Sequence, residues 1–195
     1  NILSLLHIIY REKIVAEEKI SVSICCLAYN HEKFIRQALD SFLRQKTNFK
    51  YEIIINDDAS TDETTNIIKA LYHSENQYSK GITNPSGTFN FPRAKGKYIA
   101  MCECDDFFCD ENKLQKQFDY MESHNECSLC IHSAKIQNMD NSFTNKNMRP
   151  YKKNRLINSN EIIDKTTGYP TSSLFFRSEY VKELPKFYFK CMIGD

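Results

Sequence analysis

Glycine is scarce. The 195 residues hold five, at Gly81, Gly87, Gly96, Gly168 and Gly194. No two are spaced for a GxGxxG turn or a P-loop, so a nucleotide phosphate has to be met without a glycine cradle. Tryptophan is absent. No apolar run reaches the ~18 residues that cross a bilayer, and there is no signal-peptide pattern. Neither sign of charge is in excess: Lys plus Arg number 26, Asp plus Glu 25, for a net charge of +1. That balance excludes a global field for nucleic acid and leaves charged ligands to local clusters.

What remains is the composition of one ordinary domain. Hydrophobic residues make up 41% of the chain, enough to bury a core and to exclude wholesale disorder. There are eight cysteines, and Cys25, Cys26, Cys102, Cys104 and Cys130 lie inside apolar runs. There they read as small buried hydrophobes, reduced in a cytoplasmic protein. Cys127-x2-Cys130 with His132, or Cys102, Cys104 and Cys109, is the weaker zinc-site alternative.

Residues 1–19 read as a separate helical extension, packed on the domain or lying at a membrane surface; its thin basic face favours packing. Ser21 to Leu27 is a β-branched, apolar run, as expected of a strand buried on both faces. Phe34, Ile35, Ala38, Leu39, Phe42 and Leu43 then form one helical stripe. Tyr51 to Asn56 predicts a second strand. Ser60 and Glu63 have capping-box spacing before a helix with Ile67, Ile68, Leu71 and Tyr72 as its apolar stripe. His73 to Lys95 reads as loop, and Lys97 to Cys102 as a third strand. A helix capped by Asp110 follows, with Leu114, Phe118 and Met121 inward. Ser128 to Gln137 predicts one further strand, Asn138 to Asn158 a solvated excursion, Glu161 to Lys165 a short helix, and Thr171 to Arg177 a last strand before a short helix capped by Ser178. Strand, helix, strand, helix predicts an α/β domain with a mostly parallel sheet and helices on both faces.

Acidic residues gather at two strand ends. Asp57 and Asp58 follow the second strand; Glu103, Asp105 and Asp106 follow the third. Ligands collect at the carboxyl ends of parallel strands. Paired carboxylates there repel unless a cation or donors offset them. Helix capping explains one acid per helix, not two or three. The second cluster therefore reads as a divalent-metal site, a pair of its carboxylates on one tight turn being able to hold a cation that neutralises a diphosphate in place of a glycine loop. An acid of the first pair would accept from a base or ribose. His31 and His132 read as ordinary surface or strand histidines.

In order, Ser21 to Asn30, HEKFIRQALDSFLRQ, YEIIINDDASTDET, GKYIAMCECDDFF and KLQKQFDYMESH resemble the family 2 glycosyltransferases of the GT-A fold, over about residues 20 to 135. The resemblance implies a Rossmann-like domain over 20–195, truncated before the acceptor-shaping helices. It implies inverting transfer of a sugar from a nucleotide diphospho-sugar, here a UDP-sugar, with Mn²⁺ or Mg²⁺. It places Leu27, Ala28, Tyr29 and Asn30 along the nucleobase pocket, with Leu27-Ala28 replacing the family's Pro-Thr. Asp57 and especially Asp58 correspond to the base-binding acids. Glu103-Cys104-Asp105-Asp106 corresponds to the DxD element, with Asp105 on ribose or metal and Asp106 on metal. Arg93 and Lys95 would meet the diphosphate. Gly194-Asp195 has the form of the family's catalytic base, whose task is to take the acceptor's hydroxyl proton. Pro170 to Ser173 either borders the acceptor or simply starts a strand. The implied partners are a nucleotide sugar and a saccharide or lipid-linked saccharide acceptor. The implied setting is bacterial surface polysaccharide synthesis in the cytoplasm, with the inner membrane face as a second option. The alternatives are a sugar nucleotidyltransferase, whose glycine- and basic-rich opening loop Ala28 to Lys33 lacks, and a non-catalytic nucleotide-sugar-binding or interaction domain.

Overall fold

The computed structural model describes residues 19–68, 71–72, 76, 78–82, 84–149, 151–163 and 168–186. The expected opening helix and Gly194-Asp195 lie outside them.

Strand β1 (Ile20–Ala28) is the centre of the fold. It pairs in parallel with β2 (Lys50–Asp57) on one side and β4 (Tyr98–Glu103) on the other. Val22 to Cys26 are buried, as an apolar run without alternation requires. Helix α1 (Ile35–Leu43) joins β1 to β2, and Ile35, Ala38 and Phe42 are fully buried. Leu43 departs from the expected stripe and is 69% exposed. Helix α2 (Thr64–Ile67) is a single turn, and Leu71–Tyr72 form β3, parallel to β2. The longer helix expected there does not form. Ser60 is held by Asp57 and the loop after β1, and Ile68 is already extended.

The segment expected as loop before β4 is largely helical turn, with a π-turn at Ser86–Asn90 and a 3₁₀ turn at Phe91–Arg93. Gly96 then passes so close to β1 that a Cβ would lie 2.6 Å from the Ser23 nitrogen. Helix α3 (Lys113–Ser123) buries Leu114 and Met121. Asn112, not Asp110, is its N-cap residue; Asp110 instead holds the Asn112 N–H at 2.9 Å.

The single strand expected over 128–137 is two: β5 (Leu129–Cys130) in the main sheet and β6 (Ala134–Gln137) in a hairpin with β7 (Phe143–Met148). The expected solvated excursion thus contains a strand. Helix α4 spans Ser159–Ile163. Thr171–Ser173 is a 3₁₀ turn, only Phe175–Arg177 form β8, and Ser178–Val181 is again 3₁₀. The six-stranded sheet runs β3-β2-β1-β4-β8-β5, with β8 antiparallel to both neighbours.

Two cores flank this sheet. Val22, Ile24 and Cys26 pack with α1 and α3 on one face. Cys25, Ile54 and Ile99 pack on the other against Phe91 from the 3₁₀ turn, with Phe176 beside them. The short 86–93 turns therefore cover the second face, in place of the helices expected on both faces.

Candidate active site

The strand order reverses at β1, which opens a crevice at the carboxyl ends. Both acidic loops are tied to the end of this strand. The Asp58 N–H donates to the Ala28 carbonyl at 2.9 Å, and the Cys104 N–H to the Leu27 carbonyl at 3.0 Å. Tyr29, 46% exposed, and Asn30 follow. The Asn30 N–H donates to Ser60 Oγ at 2.9 Å, and its Oδ1 accepts from the Thr61 N–H at 2.8 Å. Asn30 (φ 56°) and Ala59 (φ 64°) are both left-handed. For Ala this costs roughly 1–2 kcal/mol, a strain typical of loops held for a ligand.

The two acids of the first pair have different roles. Asp57 is buried. Its Oδ1 accepts from the Ser60 N–H at 3.1 Å and hydroxyl at 2.5 Å, and its Oδ2 accepts from the Thr65 hydroxyl at 2.5 Å. Asp57 therefore shapes the loop through both carboxylate oxygens. Asp58, 5% exposed, is the acid beside the end of β1.

Glu103 ends β4, and the turn closes through the Asp106 N–H on the Glu103 carbonyl at 3.1 Å. Cys104, fully buried, belongs to the α1–α3 core, which explains an apolar residue at this point of the acidic turn. Hydrogen bonds from Cys26 and His31 draw its thiol down to about 7. The Asp105 side chain is 48% exposed, with His31 Nε2 at 4.0 Å. Burial alone would lower His31. Its hydrogen bond with Cys104 and the Asp105 and Glu103 charges more than offset this and hold it above its usual value. Desolvation at the cavity wall pushes the Asp106 carboxyl up, a hydrogen bond from Ser172 draws it back, and the Asp105 charge adds to the rise.

These acids border a cavity of about 970 Å³ between the acidic turn, α3 and the β6–β7 hairpin. Thr171 and Ser172 line it, so the Pro170–Ser173 stretch does border the cavity. Lys33 lines it as well. Sequence reasoning missed Lys33; the one available signal was a basic residue three positions after Asn30. Arg93 is not among the lining residues. Its charge is felt at Cys25, in the opposite core, and the Lys95 N–H is held by Glu52 at 2.7 Å. Neither Arg93 nor Lys95, expected to meet the diphosphate, lines the cavity bordered by the acidic turn, because Phe91 packs 86–93 against the other face of the sheet.

Among the described residues no three His, Cys, Asp or Glu side chains converge as metal ligands. Neither proposed zinc set assembles. Asp105 and Asp106 are adjacent, and neither is paired with Lys or Arg among the described residues. Two such carboxylates fit Mn²⁺ or Mg²⁺, which takes one or two protein oxygens and completes its shell with phosphate and water.

A mostly parallel sheet with acidic turns beside its order reversal defines the GT-A class of nucleotide-sugar folds. A family model agrees: Glycosyl transferase family 2 matches residues 23–184. The chain belongs to that family, which removes the ground for a nucleotidyltransferase. It is 41% identical over 122 residues to an uncharacterized protein of Mycobacterium tuberculosis, covering 59% of this chain and 35% of that one. It is 31% identical over 173 residues to the Escherichia coli UDP-Glc:alpha-D-GlcNAc-diphosphoundecaprenol beta-1,3-glucosyltransferase WfgD, covering 81% of this chain and 66% of that one. It thus spans only part of the length of these curated relatives. Staphylococcus aureus TarS in complex with UDP superposes with a TM-score of 0.60 at 20% identity, covering 84% of this chain and 48% of that one; this likeness shows the fold. No helix among the described residues is long and apolar enough to cross a membrane.

Proposed function

We propose that this chain carries the donor site of an inverting, metal-dependent glycosyltransferase. It would move a hexosyl group from a UDP-sugar to a hydroxyl of a lipid-linked saccharide during bacterial surface polysaccharide synthesis, at the cytoplasmic face of the membrane. The observation that carries this reading is the Asp105–Asp106 pair, without a Lys or Arg partner among the described residues and opening on a cavity of about 970 Å³. Leu27 to Asn30 and Asp58 would bind the nucleoside, since their loops are preorganised by mutual hydrogen bonds. Asp105 and Asp106 would hold Mn²⁺ or Mg²⁺, which supplies charge stabilisation to the leaving diphosphate. Asp195, outside the described residues, is assigned as the base because Gly194-Asp195 matches the family pattern. Names of relatives such as the E. coli glucosyltransferase support the donor and acceptor classes.

The test is UDP binding by calorimetry with and without Mn²⁺, followed by UDP release from a UDP-hexose panel. Asp105→Ala and Asp106→Ala should each abolish the Mn²⁺-dependent part of binding. Metal-dependent binding that survives both substitutions would overturn the assignment.

A further inference from the structure

One buried charge in the cavity is left unused by the donor assignment above. Lys113 opens α3 and is only 6% exposed. Its ammonium donates to Gln117 Oε1 at 2.8 Å and lies 3.9 Å from the centre of the Phe108 ring. No carboxylate lies within ion-pair distance of it among the described residues. Asp110, the nearby acid, is held by Lys116 at 2.6 Å. The groups that act on Lys113 electrostatically are the thiols of Cys102, Cys130 and Cys109. A cation is also poorly placed at a helix N-terminus, where the dipole favours an anion. Burial of an uncompensated cation is expensive and calls for an anion to complete it.

His132 adds a second, independent sign at the same cavity. Its Nδ1 contacts the Ser133 carbonyl at 2.8 Å, so Nδ1 carries the proton. Nε2 is then a bare acceptor, buried and without a partner. Burial and the Lys113 charge lower the pKa of this imidazole, which keeps it neutral. Both residues line the cavity whose other wall carries Asp105 and Asp106. A cation and a bare acceptor lining one cavity match an anionic group next to a hydroxyl.

We infer that this cavity is a subsite for an acceptor bearing a phosphoryl or carboxylate group, held by Lys113, with an adjacent sugar hydroxyl donating to His132 Nε2. The inference rests on the acceptor reading above and specifies its chemistry.

The experiment compares three short-chain alkyl probes by calorimetry in EDTA, so that no metal bridges probe and acidic turn. They are a GlcNAc diphosphate ester, a glucuronide and a neutral glucoside. At least one anionic probe should bind about tenfold or more tighter than the glucoside. Lys113→Met should erase that preference, and Lys113→Arg should keep most of it. His132→Ala should weaken all three probes by a smaller factor. The anionic probe that wins identifies the source of the charge. Equal affinities in the unaltered chain, no binding of either anionic probe, or a preference that survives Lys113→Met would overturn the inference. UDP binding with Mn²⁺, measured on the same proteins, separates the two readings. Its loss in the unaltered chain sinks the donor assignment, whereas its persistence in Lys113→Met shows that the variant is folded.

Discussion

The two ends of the parallel strands treat buried polar groups in opposite ways. At the amino end, Arg177 on β8 is buried and all three of its guanidinium nitrogens are engaged. It donates to the carbonyls of Cys127, Met121 and His124 and to the Tyr98 hydroxyl, at 2.9 to 3.3 Å. Tyr98 in turn donates to Glu122 at 2.7 Å, and Lys97 holds the same carboxylate. Ser23 donates to Glu52 and accepts from the Gly96 N–H. At the carboxyl end, among the described residues, Lys113 has one hydrogen bond and no counter-charge, Asp105 and Asp106 face each other's repulsion, and His31 Nδ1 and His132 Nε2 are buried without partners. The same sheet is thus saturated where it only holds itself together and unsaturated where a ligand would complete it. Unmet buried polar groups cost stability, so their concentration at one end marks function.

Substitutions at the two ends should separate stability from activity. Arg177→Met strands three carbonyls and the Tyr98 hydroxyl. It should lower unfolding free energy by about 3–5 kcal/mol in urea titration, the range for breaking a buried network. A loss below about 1 kcal/mol would mean that the amino end is not the anchor. Asp106→Asn should do the reverse. Transfer should fall by about 10²–10³, while the melting temperature holds or rises, because a desolvated carboxylate beside Asp105 is removed. A matching fall in stability would dissolve the contrast.

Lys113→Met sharpens it further. Burial brings the Lys113 pKa from 10.5 to about 8, a shift of order 3 kcal/mol against the folded state. Leaving Gln117 Oε1 without its donor costs about 1–3 kcal/mol. The variant should therefore melt at or above the parent temperature. The sign with pH follows from linkage. Between about 8 and 10.5 the unfolded chain binds the extra proton, so the penalty present below pH 8 is relieved as pH rises, in the parent and not in the variant. The preference for anionic probes should fade over the same rise, as the ammonium loses its charge. Of the thiols that act on it, burial raises Cys102 and Cys130, so these two carry no compensating charge at neutral pH. The smallest effect is expected of Ala59→Gly. It removes left-handed strain and should stabilise by about 1 kcal/mol or less, with UDP affinity unchanged or slightly weaker by calorimetry.

The strands at the centre and helices α1 and α3 were legible in the sequence because burial on both faces, or on one stripe, writes a local pattern. The pattern failed where pairing is decided by distant partners. SLCIHSAKIQ looks continuous, yet Leu129–Cys130 have β8 to pair with and Ala134–Gln137 have β7, so the run breaks between them. The hairpin turn was signalled by Asp140 and Asn141, with Asn141 left-handed and Asp140 Oδ1 holding Ser142, but low apolar content hid it. The acidic pairs were visible as chemistry. Which acid of the first pair is bound into its own loop depends on Ser60 and Thr65, which no spacing rule reveals. Lys113 was invisible as a site because its oddity lies in what does not surround it.

The hydrogen bonds that hang both acidic loops from the last carbonyls of β1 have a kinetic consequence. Asp58 and Cys104 are attached one residue apart, at Ala28 and Leu27. A local opening that frees one amide pulls on the anchor of the other, so the loops should breathe together, not in turn. Deuterium should enter both amides at similar rates, and a ligand touching only one loop should slow the clock of both.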